Sequence, residues 1–232
     1  MSDPVPHEAA APHEEATRQR ILEAAGPIFA QRGFDKATVR EICAAAGVNI
    51  ASVGYYFGDK MGLYLAIVRW IRSQREQTFP MPRLNGPLED RLYRQILTLL
   101  QRMLDGDDSG WEAQLMMREM QRPTEAFHEM VQEYFRPLLE QLKATIGGLL
   151  EQAGQERIEP YQLDQLALSV VGQCLYYRVG SEVLQIIVAS EQRRRHFDTG
   201  SLARHITAFT LAALTQGVYF DLLDRSPCEF DA

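Results

Sequence analysis

Cysteine is nearly missing from this 232-residue chain: there are three, Cys43, Cys174 and Cys228, and no C-x-x-C pair. An odd, scattered set excludes a disulfide framework and fits a reducing cytosol. Also missing is any run of 18 consecutive apolar residues, so no transmembrane helix and no membrane partner is expected. The opening stretch, MSDPVPHEAAAPHEEA, is acidic and has no apolar segment, which argues against a signal peptide and for a cytoplasmic protein. An excess of positive charge is absent too. The formal net charge is −7, so the chain as a whole is no generic polyanion binder. Residues 14–62 escape this acidity: six basic side chains (Arg18, Arg20, Arg32, Lys36, Arg40, Lys60) balance six acidic ones (Glu14, Glu15, Glu23, Asp35, Glu41, Asp59). Strand-like alternation and internal repeats are lacking as well.

What is present is helical periodicity in a chain that is 46% apolar and 24% charged, ordinary globular values. Residues 1–13 have no period and are expected to be a disordered tail. A first helix is expected over about 15–32, with Ile21, Leu22, Ala25, Ile28 and Phe29 on one stripe, Gly33 as C-cap, and a kink near Gly26–Pro27. A second starts at Thr38, with Glu41 completing a capping box, and stops at Gly47. A short third covers about 50–56, and a longer fourth follows Lys60 with Leu63, Ala66, Ile67, Trp70 and Ile71 inward. The breaker cluster PMPRLNGP at 80–87 ends this block. Further helices are expected over 88–104, 111–121, from Pro123 to about Gly154 with a bend at Pro137, over 161–188, either continuous or broken near Gly180, and over 199–223 with Asp198 or Thr199 as cap. The fold class is therefore all-α. The expected organisation is a tail (1–13), a three-helix head (14–62), a larger helical domain (63–225) and a C-terminal tail (226–232).

The second helix, the Gly47 turn and the third helix form a helix-turn-helix, held by Val39, Ile42, Cys43, Val48 and Val53. That geometry presents the third helix to a DNA major groove. Residues 48–60, VNIASVGYYFGDK, suit the role. Ala51, Ser52 and Gly54 are small enough to let the backbone approach the groove floor. Asn49 and Ser52 can bond base edges or phosphates, and Ile50 or Ala51 can meet a thymine methyl. Tyr55 and Tyr56 can pack a ring inward and reach a phosphate with a hydroxyl. Lys60 starts the next helix, where ammonium and N-terminal amides favour phosphate together. Thr38 and Arg40 can grip the backbone at the start of the second helix. The third helix carries no arginine, so shape and weak contacts must share the specificity.

TVREICAAAGVNIASVGYYFGDKMGLY, residues 38–64, resembles the helix-turn-helix signature of the TetR family of transcriptional repressors. The variant NIASVGYYFGDK, with MREMQRPTEAF at 117–127 and FRPLLEQL at 135–142, resembles a subgroup with its own C-terminal domain, typified by a drug-responsive bacterial regulator. Two positions depart from the family pattern: Gly54 stands where a tyrosine is frequent, and Ile50 where a lysine or polar residue is common. The resemblance implies a homodimer on a pseudo-palindromic operator, released by a small hydrophobic or aromatic effector. It implies no enzyme activity, cofactor or metal.

Several other features admit a bland reading beside a sharp one. Trp111, Met116, Met117, Met120, Phe127, Met130, Tyr134, Tyr176 and Tyr177 could line an adaptable pocket or be ordinary core. Arg118 and Glu119 could form a buried ion pair, anchor a ligand, or lie on an exposed edge. Small residues among Leu166, Val170, Ala208, Leu211 and Ala212 suit a four-helix dimer contact or intramolecular packing. Arg193, Arg194 and Arg195 read as a solvated loop. Cys174 could sense redox state but reads better as packing. Glu125-x-x-His128 has the spacing of a dimetal bundle, but such a site wants two copies of the motif. A helical metal-dependent enzyme therefore remains a distant rival. A DNA-binding dimer without effector is a nearer one, and thermal shift across a panel of apolar compounds would separate it from the ligand-responsive reading.

Overall fold

The computed structural model describes residues 10–83, 85–105, 110–155 and 158–215. Every regular element among them is helical: α1 (Ala10–Lys36), α2 (Val39–Ala46), α3 (Ala51–Phe57), α4 (Lys60–Thr78), α5 (Leu88–Leu104), α6 (Trp111–Gln121), α7 (Ala126–Met130), a π-turn (Val131–Phe135), α8 (Arg136–Gln152), α9 (Pro160–Val179), α10 (Ser181–Ile187), α11 (Ser190–His196) and α12 (Thr199–Thr215). None of the described helices is long and apolar enough to cross a membrane. Residues 10–13, expected in the tail, belong to α1. Residues 216–223 of the expected last helix, the C-terminal tail and Cys228 lie outside the described residues.

Packing groups the chain into two units, Met1–Arg75 with Asp107–Tyr134, and Glu76–Gly106 with Phe135–Ala232. The first unit thus takes in more than residues 14–62. The physical reason is Tyr64, which is fully buried. Its ring meets Phe29 and Phe34 edge-on at 5.0 and 5.2 Å. Its hydroxyl donates to Glu119 Oε2 at 2.7 Å, while the Thr124 amide and hydroxyl donate to Glu119 Oε1 at 2.7 and 2.8 Å. Burial, then that carboxylate, pushes the Tyr64 phenol well above its ordinary range. Glu119 is therefore a buried, satisfied acceptor rather than half of an ion pair with Arg118, whose guanidinium donates instead to Gln31 O at 3.2 Å.

The break in α1 falls at Gly33, not at Gly26–Pro27. Gly33 has φ 78° and ψ 166°, a region only glycine enters freely. Pro27 is tolerated inside the helix on its exposed side. Only half of the expected capping box forms on α2. The Glu41 amide donates to Thr38 Oγ1 at 3.2 Å, but the Glu41 carboxylate turns to Arg32 at 2.8 Å. The expected bend at Pro137 is realised just upstream as the π-turn, with the proline in the first turn of α8, where its missing N–H costs least.

The second unit is built around a core that includes Leu92, Ile96, Leu100, Leu142, Ile146, Leu150, Ala167, Cys174, Ala203 and Ile206. Caps fix its helix starts. Glu159 and Gln162 form a reciprocal capping box on α9, and Asp198 caps α12 by accepting from the Ser201 amide at 2.9 Å. The Ser201 hydroxyl and amide together hold the Asp198 carboxyl below its usual range. The basic run is helical, in α11, rather than loop. Arg193 donates to the carbonyls of Leu184 and Gln185 at 3.3 and 2.7 Å and to that of Val188, which closes the end of α10. Cys174 is fully buried, and burial pushes its thiol up to about 12. Its expected behaviour is inertness. Alkylation at pH 8, mapped by peptide mass, should label Cys174 only in denaturant. Because the folded thiol stays neutral where the unfolded one ionises, this group lowers stability as pH rises from about 9 to about 12. Rapid labelling of native Cys174 would contradict this.

Candidate nucleic-acid interface

The α2–α3 corner is assembled by short-range hydrogen bonds. Gly47 sits at φ 63°, and the amides of Gly47 and Val48 donate to the carbonyls of Ala44 and Cys43 at 3.3 and 3.0 Å. Asn49 then starts α3: its Oδ1 accepts from the Ala51 amide at 2.9 Å. The side-chain oxygen of the exposed Asn49 is thus engaged with the start of α3. Val53 is the single buried residue of α3 and seats it on the head beside Cys43 of α2.

Around Val53 the segment is more open, with no other position of α3 buried. Ile50 is 57% exposed and Tyr55 73%. Ala51 and Gly54 are exposed and Ser52 half-buried. A Cβ placed on Gly54 would meet nothing within 4 Å. Tyr56 is half-buried, with its ring centroid 4.8 Å from Tyr55 and 6.4 Å from Phe57. Thr38 and Arg40 are exposed at the start of α2. Nine of the ten expected DNA-contact residues are thus exposed or half-buried in or beside α2 and α3. Lys60, the tenth, is differently placed. Its ammonium lies 4.5 Å from the Phe34 ring centroid and donates to Asp35 O at 3.3 Å, so it must swing away from α1 to reach a phosphate. One residue beside this surface escaped the sequence reading: Glu14, whose carboxylate accepts a hydrogen bond from the Tyr55 hydroxyl at 3.2 Å. Only its place in an acidic N-terminal run hinted at it.

The expected pocket set does not come together in one unit. Trp111, Met116, Met117, Met120, Phe127, Met130 and Tyr134 belong to the first, and Tyr176 and Tyr177 to the second. Trp111 stacks on Trp70 at 5.8 Å and lies over Gly26, where a Cβ would run into its ring. Met120 is 41% exposed. Met116, Met130 and Tyr134 line a cleft with Val68, Arg69, Arg72, Glu129 and Glu133. Its cavity volume is about 10 Å³, room for roughly one water. At its rim Arg69 binds Glu129 through two bonds of 2.6 and 2.7 Å, which holds the Glu129 carboxyl below its ordinary range. In the second unit Tyr177 packs edge-on against Phe197 at 6.3 Å, while Tyr176 is 51% exposed. Among the described residues no group of three or more metal-ligating side chains converges.

Two of the five residues expected at a dimer contact are core residues instead. Leu166 and Val170 point into the core of their own unit. The outer stripe of α9 carries Leu168, Tyr176 and Val179 instead, and that of α12 carries Ala208, Phe209 and Ala212, with Leu211 half-buried between. The physical reason is the 3.6-residue period: 166, 170 and 174 share one face, and 168, 172, 176 and 179 the other.

Two family models match the chain: "Bacterial regulatory proteins, tetR family" over residues 21–67, and the C-terminal domain of the HTH-type transcriptional dual regulator CecR over residues 88–214. CecR of Shigella flexneri is 28% identical over 182 residues, which span 73% of this chain and 79% of that protein. A TetR-like transcriptional regulator from Rhodococcus sp. RHA1 shares the fold with a TM-score of 0.62 at 18% identity, over 86% of this chain and 96% of that one. AibR, solved with isovaleryl coenzyme A and operator DNA, shares it with a TM-score of 0.59 at 15% identity, over 83% and 97% of the two chains. With an α2–turn–α3 corner inside one matched segment and the α5–α12 helices inside the other, the chain belongs to the TetR family of transcriptional regulators and carries a CecR-like C-terminal domain.

Proposed function

We propose that the protein is a homodimeric repressor that sets α3 of each copy into successive major-groove faces of a pseudo-palindromic operator and leaves the DNA when a small apolar effector binds its C-terminal domain. The observation that carries the DNA half is the outward face of α3: one buried residue seats it, Ala51, Gly54 and Tyr55 are exposed, and Ser52, Tyr56 and Phe57 are half-buried. The dimer half is supported by the apolar outer stripe of α9 and α12, since Leu168, Val179 and Phe209 would bury their exposed surface against a second copy. The effector half is supported by the family and by analogy with AibR, whose crystals hold an acyl-coenzyme A and operator DNA together. The likeness to MREMQRPTEAF-type regulators belongs to this proposal as well. Effector and DNA would have to disfavour each other by about 1–3 kcal/mol for the switch to matter.

The test is selection of bound fragments from genomic or random DNA. A two-fold symmetric site with half-sites about 34–36 Å apart or somewhat more is the expected product. Arg40 and Lys60 are the cations expected to reach phosphates, so two copies predict a slope of log affinity on log salt near −4. A slope near −10, or an asymmetric site bound by a single copy, would contradict the reading.

A further inference from the structure

The start of α1 lies against the surface read above as the DNA-contact face. Tyr55 is the most exposed aromatic ring there, and its hydroxyl is already engaged: it donates to Glu14 Oε1 at 3.2 Å, across 41 positions of sequence. A phenol has one proton to donate, and phosphate oxygens only accept. While the proton is shared with Glu14, Tyr55 has none for a phosphate. The neighbouring Glu15 differs. It faces Arg18 at 3.7 Å, and that guanidinium lies 5.4 Å from the Phe57 ring centroid. Its charge is thus partly matched and it makes no contact with Tyr55 among the described residues.

We propose that Glu14 is a built-in antagonist of DNA binding: it holds the Tyr55 hydroxyl in the free protein and must release it before Tyr55 can donate to a phosphate. The inference rests on reading α3 and Tyr55 as a DNA-contact surface. Its use is to set a threshold. Contact with unrelated duplex consists almost wholly of phosphate contacts, whereas an operator adds base-edge contacts. A residue that penalises a phosphate contact therefore lowers affinity for both by a similar factor, so that only a site with base-edge contacts keeps enough affinity to be held. The acidic start of α1 would then act as a filter on a head that has little cationic charge to spare.

The experiment uses the full chain with the operator recovered by fragment selection and an unrelated duplex of equal length. Affinities of wild type, Glu14→Ala, Glu15→Ala, Tyr55→Phe and the Glu14→Ala/Tyr55→Phe double variant are measured by fluorescence anisotropy, with thermal melts as a fold check. Glu14→Ala is expected to raise affinity for both duplexes about three- to fivefold, the scale of an exposed charged contact. Tyr55→Phe should lower it, the double variant should match Tyr55→Phe, and Glu15→Ala should gain less than Glu14→Ala. The proposal is overturned by an unchanged or weakened Glu14→Ala, by a gain that survives in the Tyr55→Phe background, or by an equal gain from Glu15→Ala. A wild type that retains no duplex sinks the DNA-binding reading itself. A wild type that binds, with no gain from Glu14→Ala, sinks only the role of Glu14.

Discussion

Gly54→Glu is expected to cut operator affinity by more than about 100-fold while leaving the head folded. Position 54 is one step past Val53, the buried anchor of α3, and so points outward. Nothing lies within 4 Å of a Cβ built there, so the fold places no demand on glycine. A glycine inside a helix in fact destabilises it by about 1 kcal/mol relative to alanine. The proposed reason for it is therefore external: the backbone at 54 must come close to the groove. A glutamate would stand the helix off and set a carboxylate against phosphates, and specific sites owe at least about 10³ of their affinity to close contact. Gly54→Ala makes the sign diagnostic. It should raise the melting temperature by about 2–4 °C while weakening DNA binding. Anisotropy and melts on the three proteins check both halves. Unaltered binding by Gly54→Glu would mean that this face of α3 does not meet DNA.

Gly62→Ala is expected to do the opposite, destabilising the protein by about 3 kcal/mol, or roughly 6–12 °C in melting temperature. Gly62 sits in the first turn of α4, where its amide donates to Asp59 Oδ1 at 2.7 Å. The chain entering that turn doubles back so closely that a Cβ on Gly62 would overlap the Phe57 carbonyl oxygen and lie 3.1 Å from its carbon. Backbone cannot yield as a flexible side chain can, so α3 and α4 would have to part. Phe57 and Lys60 flank that join, and the DNA-contact surface should loosen with it. Thermal or urea melts read the effect. A melting temperature equal to wild type or above it would show that the α3–α4 turn opens without strain.

Those two glycines stand eight positions apart and look alike in the sequence. Much else was legible there. The all-helical class followed from periodicity alone, and the span of α5 and α6 from the breakers that bound them. The α2–α3 corner was readable because its determinants are local: Thr38 as cap, Gly47 as turn and Val53 as anchor all act within a few residues. Misreadings came where two local signals competed or where a partner was distant. Pro27 looked like the weak point of α1, but the break went to Gly33, which alone could take a positive φ beside the Arg118 guanidinium. Arg193 looked solvated until the end of α10 folded back to offer it three carbonyls.

By itself the sequence determined what hydrogen bonding and side-chain period decide over a turn or two: helices, caps, the helix-turn-helix and its slim outward face. Tertiary structure alone decided which side of α9 is core, that Glu119 serves Tyr64 and Thr124 rather than Arg118, that Glu14 reaches Tyr55, and that Gly62 is sterically obligatory while Gly54 is free. The reason is range. A cap or a period is set by atoms a few bonds apart along the chain, whereas a burial phase, a carboxylate's partner or the space around a missing Cβ depends on segments tens of residues away or on the exact closing of a turn.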